Sequence, residues 1–194
     1  MRLDPIILAG LAVAFTPKSY VRVTAMAHAA TPLGAGCGAT RFASPTRTFK
    51  VIYLGQDLTT SVAETLVRDR FQGRATRKLL DVEAATWGAT EVTASAPLTL
   101  IDLRTTGLVR LGVSTEAARA KAQGQGRKLS QAVYDQTDAD GLVYSSRLTG
   151  RTCICVYDRA LPGGLGASPV IEITRLAGFL DALQALNVTL IATP

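Results

Sequence analysis

Three residues in one stretch of 24, Arg41, Tyr53 and Glu64, are the types a site needs for a ligand with phosphates, a flat ring and a centre that turns positive during reaction. Residues 49–54, Phe-Lys-Val-Ile-Tyr-Leu, are mostly β-branched or aromatic and read as a short buried strand. Gly55 breaks it, and residues 57–61 offer several helix caps, so Tyr53 and Glu64 flank one strand-to-helix turn. Arg41, folded back beside them, adds a cation to a ring and a carboxylate. Spacing alone also fits a plainer reading, and on spacing alone that reading leads. Ser61-Val62-Ala63-Glu64 matches a capping box, in which the glutamate ties back to the helix start, Tyr53 is a strand-end aromatic and Arg41 a solvated charge.

The elements that must position these residues alternate along the whole chain. With 194 residues, 47% of them hydrophobic, the chain fills one core without requiring two, and a single mixed α and β domain over residues 1–194 is expected. Residues 20–24 read as a strand with Arg22 at its centre, a cation that reaches solvent at an edge or faces a polar cleft. Residues 32–38 follow with Gly34, Gly36 and Gly38, a backbone able to approach a phosphate but lacking the ending of a P-loop, so a plain flexible loop is the simpler reading. In the Glu64 helix, Ala63, Leu66, Val67 and Phe71 share an inner side. Residues 79–82, 98–103, 141–147, 152–157, 170–173 and 187–192 read as strands, with Trp87 as an anchor in a linking segment. Residues 115–136 read as a helix interrupted at Gly124 and Gly126, and residues 175–186 as a helix whose Leu176, Phe179, Leu180 and Leu183 pack on the core.

Residues 6–15 are apolar, and Ala25-Met26-Ala27 and Ala27-His28-Ala29 resemble cleavage sites of a secretory leader. Asp4 and Pro5 interrupt the positive start such a leader needs, so this segment is expected to dock as a helix or strand, and no run reaches the roughly 18 apolar residues of a membrane span. Cys37, Cys153 and Cys155 are odd in number, and the last two point the same way along one strand, which suits a reducing cytoplasm rather than a bridge. With His28 the only histidine and no Cys-x-x-Cys pair, no metal site is expected and the composition argues against Ser-His hydrolysis. A net charge of +6 admits nucleic acid or a phosphate-bearing or acidic partner. The cations fall in two groups, Arg68, Arg70, Arg74, Arg77 and Lys78, then Arg119, Lys121, Arg127 and Lys128, without interleaved aromatics for base stacking.

Three separated pieces, Tyr20-Val21-Arg22, residues 41–64, and Asp140-Gly141-Leu142-Val143-Tyr144-Ser145-Ser146-Arg147, occur in the order of the three motifs of the RES domain, which this chain resembles over residues of about 20–160. Ala39-Thr40 stand where the family tends to have glycines. The resemblance implies an α+β fold, an ADP-ribosyltransferase-like mixed sheet with flanking helices. It implies the toxin of a bacterial toxin–antitoxin pair that cleaves NAD between nicotinamide and ribose, as substrate and without a metal, and passes ADP-ribose to phosphate, water or a protein. Carried over by motif, Glu64 stabilises the developing cation, Arg22 and Arg41 grip the pyrophosphate, Tyr53 stacks on the ligand, and Ser146 bonds the carboxamide or a ribose hydroxyl. Ser145, adjacent and on the opposite face, competes for that last role. A phosphate acceptor calls for further cations, for which Arg47 and Arg147 are candidates. The resemblance also implies a cognate antitoxin covering the cleft, contact with nucleic acid only through that complex, and a cytoplasmic location without membrane contact. The competing readings are a transferase modifying a protein and a non-enzymatic basic module binding nucleic acid.

Overall fold

The computed structural model describes residues 1–71, 73–119 and 122–193, with Arg119 described by its backbone. In chain order the elements are α1 (Pro5–Ala9), β1 (Ala12–Phe15), β2 (Tyr20–Ala25), β3 (Val51–Gly55), α2 (Leu58–Val62), β4 (Lys78–Leu80), α3 (Asp81–Ala84), β5 (Trp87–Ala94), β6 (Leu98–Asp102), α4 (Gly107–Arg110), α5 (Glu116–Arg119), α6 (Gly124–Gln136), β7 (Gly141–Ser145), β8 (Thr152–Tyr157), β9 (Leu165–Ala167), β10 (Ile171–Glu172), α7 (Phe179–Ala185) and β11 (Thr189–Ile191). The class is the expected mixed α+β. Nine strands form one sheet in the order β1-β6-β7-β8-β3-β2-β5-β10, with β9 also paired to β5, while β4 and β11 form a separate parallel pair.

The sheet divides at its middle. β2 pairs with β5 along its whole length and β3 pairs with β8 along its own, but β2 and β3 meet only at Val21 and Gly55. Val21 turns its carbonyl instead to Ser61 Oγ, which donates to it at 2.8 Å from α2. Gly55 permits that approach, because a Cβ there would lie 2.5 Å from Ser61 Oγ. Beyond the single pair the strands separate, and a hollow opens between them.

Three apolar cores fix the walls. One packs α6 and the N-terminal segment onto the β7–β8 side, including Phe42, Phe49, Leu129, Val133, Leu142 and Tyr157. A second lies across the sheet around Ile52, Leu54, Val92, Leu100 and Ile154. The third joins the Glu64 helix to α7 through Val62, Leu66, Phe71, Phe179 and Leu183. Ala63, Leu66, Val67 and Phe71 are all buried, as their spacing predicts. The apolar N-terminal run docks as α1 and β1, with Asp4 as the cap that accepts from Ile6 N and Pro5 in the first turn.

Several elements differ from the sequence reading. Trp87 begins the eight-residue strand β5 instead of sitting in a link. The strand read at 79–82 is β4, ending at Leu80, and Asp81 opens a helical turn. The C-terminal helix starts at Phe179, after Gly178 in the left-handed region, and Leu180 on it is 65% exposed rather than part of the core. Gly124 and Gly126 lie in the first turn of α6, whereas Ala120 and Lys121 of the same predicted helix fall outside the described residues.

Candidate active site

The helix carrying Glu64 begins at Asp57, whose carboxylate accepts from Thr60 N at 2.7 Å. This overturns the capping-box reading. The cap lies four residues earlier than Ser61, Ser61 serves Val21, and Glu64 is inside the helix rather than at its start. After Val62 the helix widens to a π turn over Ala63–Val67, closed by Arg68 N donating to Ala63 O at 2.8 Å. Such turns are rare and recur at functional sites, because the extra residue changes the direction of the side chains it carries.

Glu64 accepts a 2.6 Å hydrogen bond from Ser146 Oγ. Strand β7 ends at Ser145, and Ser146 opens the turn to β8, where Leu148 N and Thr149 N donate to its Oγ at 3.1 and 3.2 Å. Its one proton therefore goes to the carboxylate, and two backbone N–H groups fix the oxygen behind it. Ser146 is only 3% exposed. The bond from this hydroxyl aims Glu64. Ser145 pairs with Thr152 in the sheet.

Arg41 is held by a collar of contacts from distant segments. Tyr53 Oη accepts from Phe42 N at 2.9 Å and shares a hydrogen with Thr40 Oγ1 at 2.8 Å, so one phenol grips both neighbours of Arg41. From α6, Arg127 Nε donates to Thr40 O at 3.0 Å and Ser130 Oγ to Phe42 O at 2.7 Å. Gly126 lets that helix close in, since a Cβ there would stand 2.6 Å from Arg41 O. Arg41 itself is 3% exposed. Burial first, then the Arg68 cation, pulls its pKa down, while Tyr144 and Glu64 act in the opposite direction. Burial holds the Tyr53 and Tyr144 phenols well above their usual range, with Glu64 adding to the effect on Tyr144. Both rings stay neutral and act as hydrogen-bonding walls.

The hollow between β2 and β3 has a volume of about 360 Å³, with Arg22, Thr40, Tyr53, Glu64, Arg68 and Tyr144 on its walls. A second lobe of about 370 Å³ shares Arg22, Thr40, Val51 and Tyr53 with it and is floored by the glycine-rich loop at Gly34, Gly36 and Gly38. That loop is tied to β3 by reciprocal backbone bonds of 3.2 Å between Gly36 and Val51. Arg22 stands between the lobes and donates to Pro32 O and Gly34 O, both at 2.7 Å. Burial lowers its pKa. Arg22 reaches the cleft as its sequence position allows, but its Nη1 and Nη2 hold the loop.

Of the two spare cations, Arg147 lies beside Ser146 and donates to Asp69 Oδ1 at 2.8 Å, whereas Arg47 sits on an exposed turn away from both lobes. Arg68, Asp69, Tyr144 and Gln123 also line the first lobe without having been singled out for it. Arg68 follows Glu64 by four residues, a signal legible in principle; Gln123 carries none. Burial pushes the Cys153 thiol up to about 12 and Cys155 higher still, and all three cysteines are free. Among the described residues, no helix is long and apolar enough to cross a membrane.

Residues 13–177 match the family model described as the RES domain. A relative from Sinorhizobium fredii named "Probable toxin y4kH" is 40% identical over 72 residues, which span 37% of this chain and 57% of that protein. A chain in the crystal structure of the M. tuberculosis MbcT-MbcA toxin-antitoxin complex superposes with a TM-score of 0.66 at 18% identity, covering 96% of this chain and 99% of that one, so the two share a fold.

Proposed function

The chain belongs to the RES domain family, and from that premise we propose that it is the toxin of a toxin–antitoxin pair, acting in the cytoplasm by cleaving NAD between nicotinamide and ribose. The observation that carries this reading is the carboxylate of Glu64, fixed by Ser146 on the wall of a two-lobed hollow that Arg22 and Arg68 also line. Each lobe falls in the range of about 300–1,000 Å³ usual for small-molecule sites, and two joined lobes suit the two halves of a dinucleotide. In this scheme the pyrophosphate lies near Arg22 and Arg41, and the ribose next to nicotinamide faces Glu64.

Departure of the neutral ring leaves an oxocarbenium-like centre, which needs a nearby negative charge more than a strong base. At about 4 Å and an effective dielectric near 20, one carboxylate contributes roughly 4 kcal/mol, or about a thousandfold in rate. Tyr53 and Tyr144 shield the reacting end, and ADP-ribose passes to phosphate or water. A cognate antitoxin that covers the hollow would stop turnover without unfolding the toxin. The M. tuberculosis chain of the same fold was crystallised in a toxin–antitoxin complex.

The test is release of nicotinamide from NAD by the purified chain, followed by chromatography with and without inorganic phosphate. Turnover that depends on Glu64 is expected. Full activity in a well-folded Glu64→Ala protein would remove the mechanism, and the phosphate arm separates phosphorolysis from hydrolysis.

A further inference from the structure

Glu64, Tyr144 and Gln123 line the first lobe of the hollow and are absent from the wall of the second. In the reading above, the half of the dinucleotide with the breaking bond therefore lies in the first lobe, beside Gln123. This residue directly precedes α6, is half-buried, and makes no side-chain bond to the helix start it caps.

Its neighbour fixes the orientation of its amide. Arg127 Nη2 donates to Gln123 Oε1 at 3.1 Å, and an arginine offers only donors, so the amide turns its oxygen to Arg127. Arg127 is itself held, because its Nε donates to Thr40 O at 3.0 Å. Gln123 Nε2 is left with two N–H bonds and no acceptor among the described residues. Other polar atoms on the same wall are spent within the protein: Thr40 Oγ1 on Tyr53 Oη, Glu64 Oε1 on Ser146, and the two Arg22 Nη groups on Pro32 and Gly34. Gln123 thus brings a neutral donor, anchored from behind, to the lobe that holds the carboxylate.

Given the NAD reading above, on which this inference rests, we propose that Gln123 Nε2 donates to the carbonyl oxygen of the substituent on the departing pyridine ring, and so sets which rings the site accepts. The ring is a cation before the bond breaks. An arginine in this position would oppose its binding, whereas an amide donor holds the carbonyl without that repulsion. The contact is the same before and after the ring leaves, so it acts mainly on KM. What Gln123 requires is a carbonyl oxygen; the amide nitrogen of nicotinamide is not read.

Steady-state cleavage of NAD and of acetylpyridine adenine dinucleotide, whose ring carries the same carbonyl but no N–H, tests this with the full chain. The wild type is expected to cleave both with comparable kcat/KM. Gln123→Leu should lower kcat/KM for both by about fivefold to tenfold, through KM, the worth of one neutral hydrogen bond. Gln123→Glu keeps an oxygen for Arg127 and replaces the donor by an acceptor. Nicotinamide can then turn its NH2 group to the carboxylate, whereas an acetyl group presents only its oxygen, so the preference for NAD should rise by about 10- to 100-fold. A merely structural role would lower both rates together and leave that ratio unmoved. An unchanged ratio in folded Gln123→Glu protein, or a wild type that cleaves NAD and not the analogue, overturns the proposal and spares the NAD reading. A wild type that cleaves neither dinucleotide overturns both.

Discussion

Ser146 Oγ lies 2.6 Å from Glu64 Oε1, joining two residues 82 positions apart in the chain. The serine spends its proton on the carboxylate and receives two backbone N–H bonds from its own turn, so the acid is aimed by a rigid support. Ser146→Ala is therefore expected to keep the fold and lower NAD turnover by about 10- to 100-fold, the range for one hydrogen bond to a charged group. Ser145→Ala should remain near wild type. Equal losses in steady-state rates for the two variants would show that the bond does not matter.

Glu64→Ala is expected to lower the rate of nicotinamide release by about two to three powers of ten, following the Coulomb estimate for one carboxylate near the developing cation. Glu64→Gln, which keeps shape and removes charge, should lose nearly as much. A Gln variant close to wild type would mean that hydrogen bonding, and not charge, is what the site requires.

Tyr53→Phe keeps the ring and deletes the hydroxyl that grips Thr40 and Phe42. It leaves Phe42 N without this acceptor, at a cost of roughly 1–3 kcal/mol in stability. Turnover should fall as well, mainly through a higher KM for NAD, because the segment holding Arg41 loosens. Unchanged denaturation midpoints together with an unchanged KM would disprove the collar.

Gly126→Ala puts a Cβ 2.6 Å from Arg41 O and from Ala117 O. Overpacking of this kind costs roughly 1–3 kcal/mol, which at this chain length lowers the melting temperature by about 2–12 °C. Gly124→Ala, two residues earlier and with nothing near its Cβ, is the control and should not destabilise. Calorimetric scans of the two proteins decide the matter.

Burial, with the nearby Glu64 carboxylate adding to it, holds the Cys153 thiol up at about 12. At pH 8 only about one molecule in ten thousand then carries the reactive thiolate. Native protein treated with iodoacetamide between pH 7 and 9 should stay unmodified at Cys153. Denatured protein, with an ordinary thiol near 8.5, should react there faster as pH rises across the same range. Peptide mass spectrometry reads the outcome, and labelling of Cys153 in folded protein would contradict its burial.

The sequence carried the element types and the identity of the residues that matter. Residues 152–157 are uniformly apolar or β-prone between turn signals, and β8 has those limits. The strand Trp87–Ala94 was hidden because its small residues answer to neighbours far along the chain. At Gly88 a Cβ would stand 2.5 Å from Val170 Cγ1 and 2.6 Å from Met26 Sδ, a demand invisible in local pattern.

What the chain determined by itself was a mixed fold, a strand-to-helix turn bearing Tyr53 and Glu64, and arginines and serines within reach of it. Only the tertiary structure decided where each proton and charge went: Ser146 to Glu64, Arg22 to the carbonyls of Pro32 and Gly34, Ser61 to Val21 and not to a helix start. The reason is physical. A hydrogen bond is won or lost over a few tenths of an ångström, and those distances depend on how β2 parts from β3 and how a π turn rotates the residues it carries.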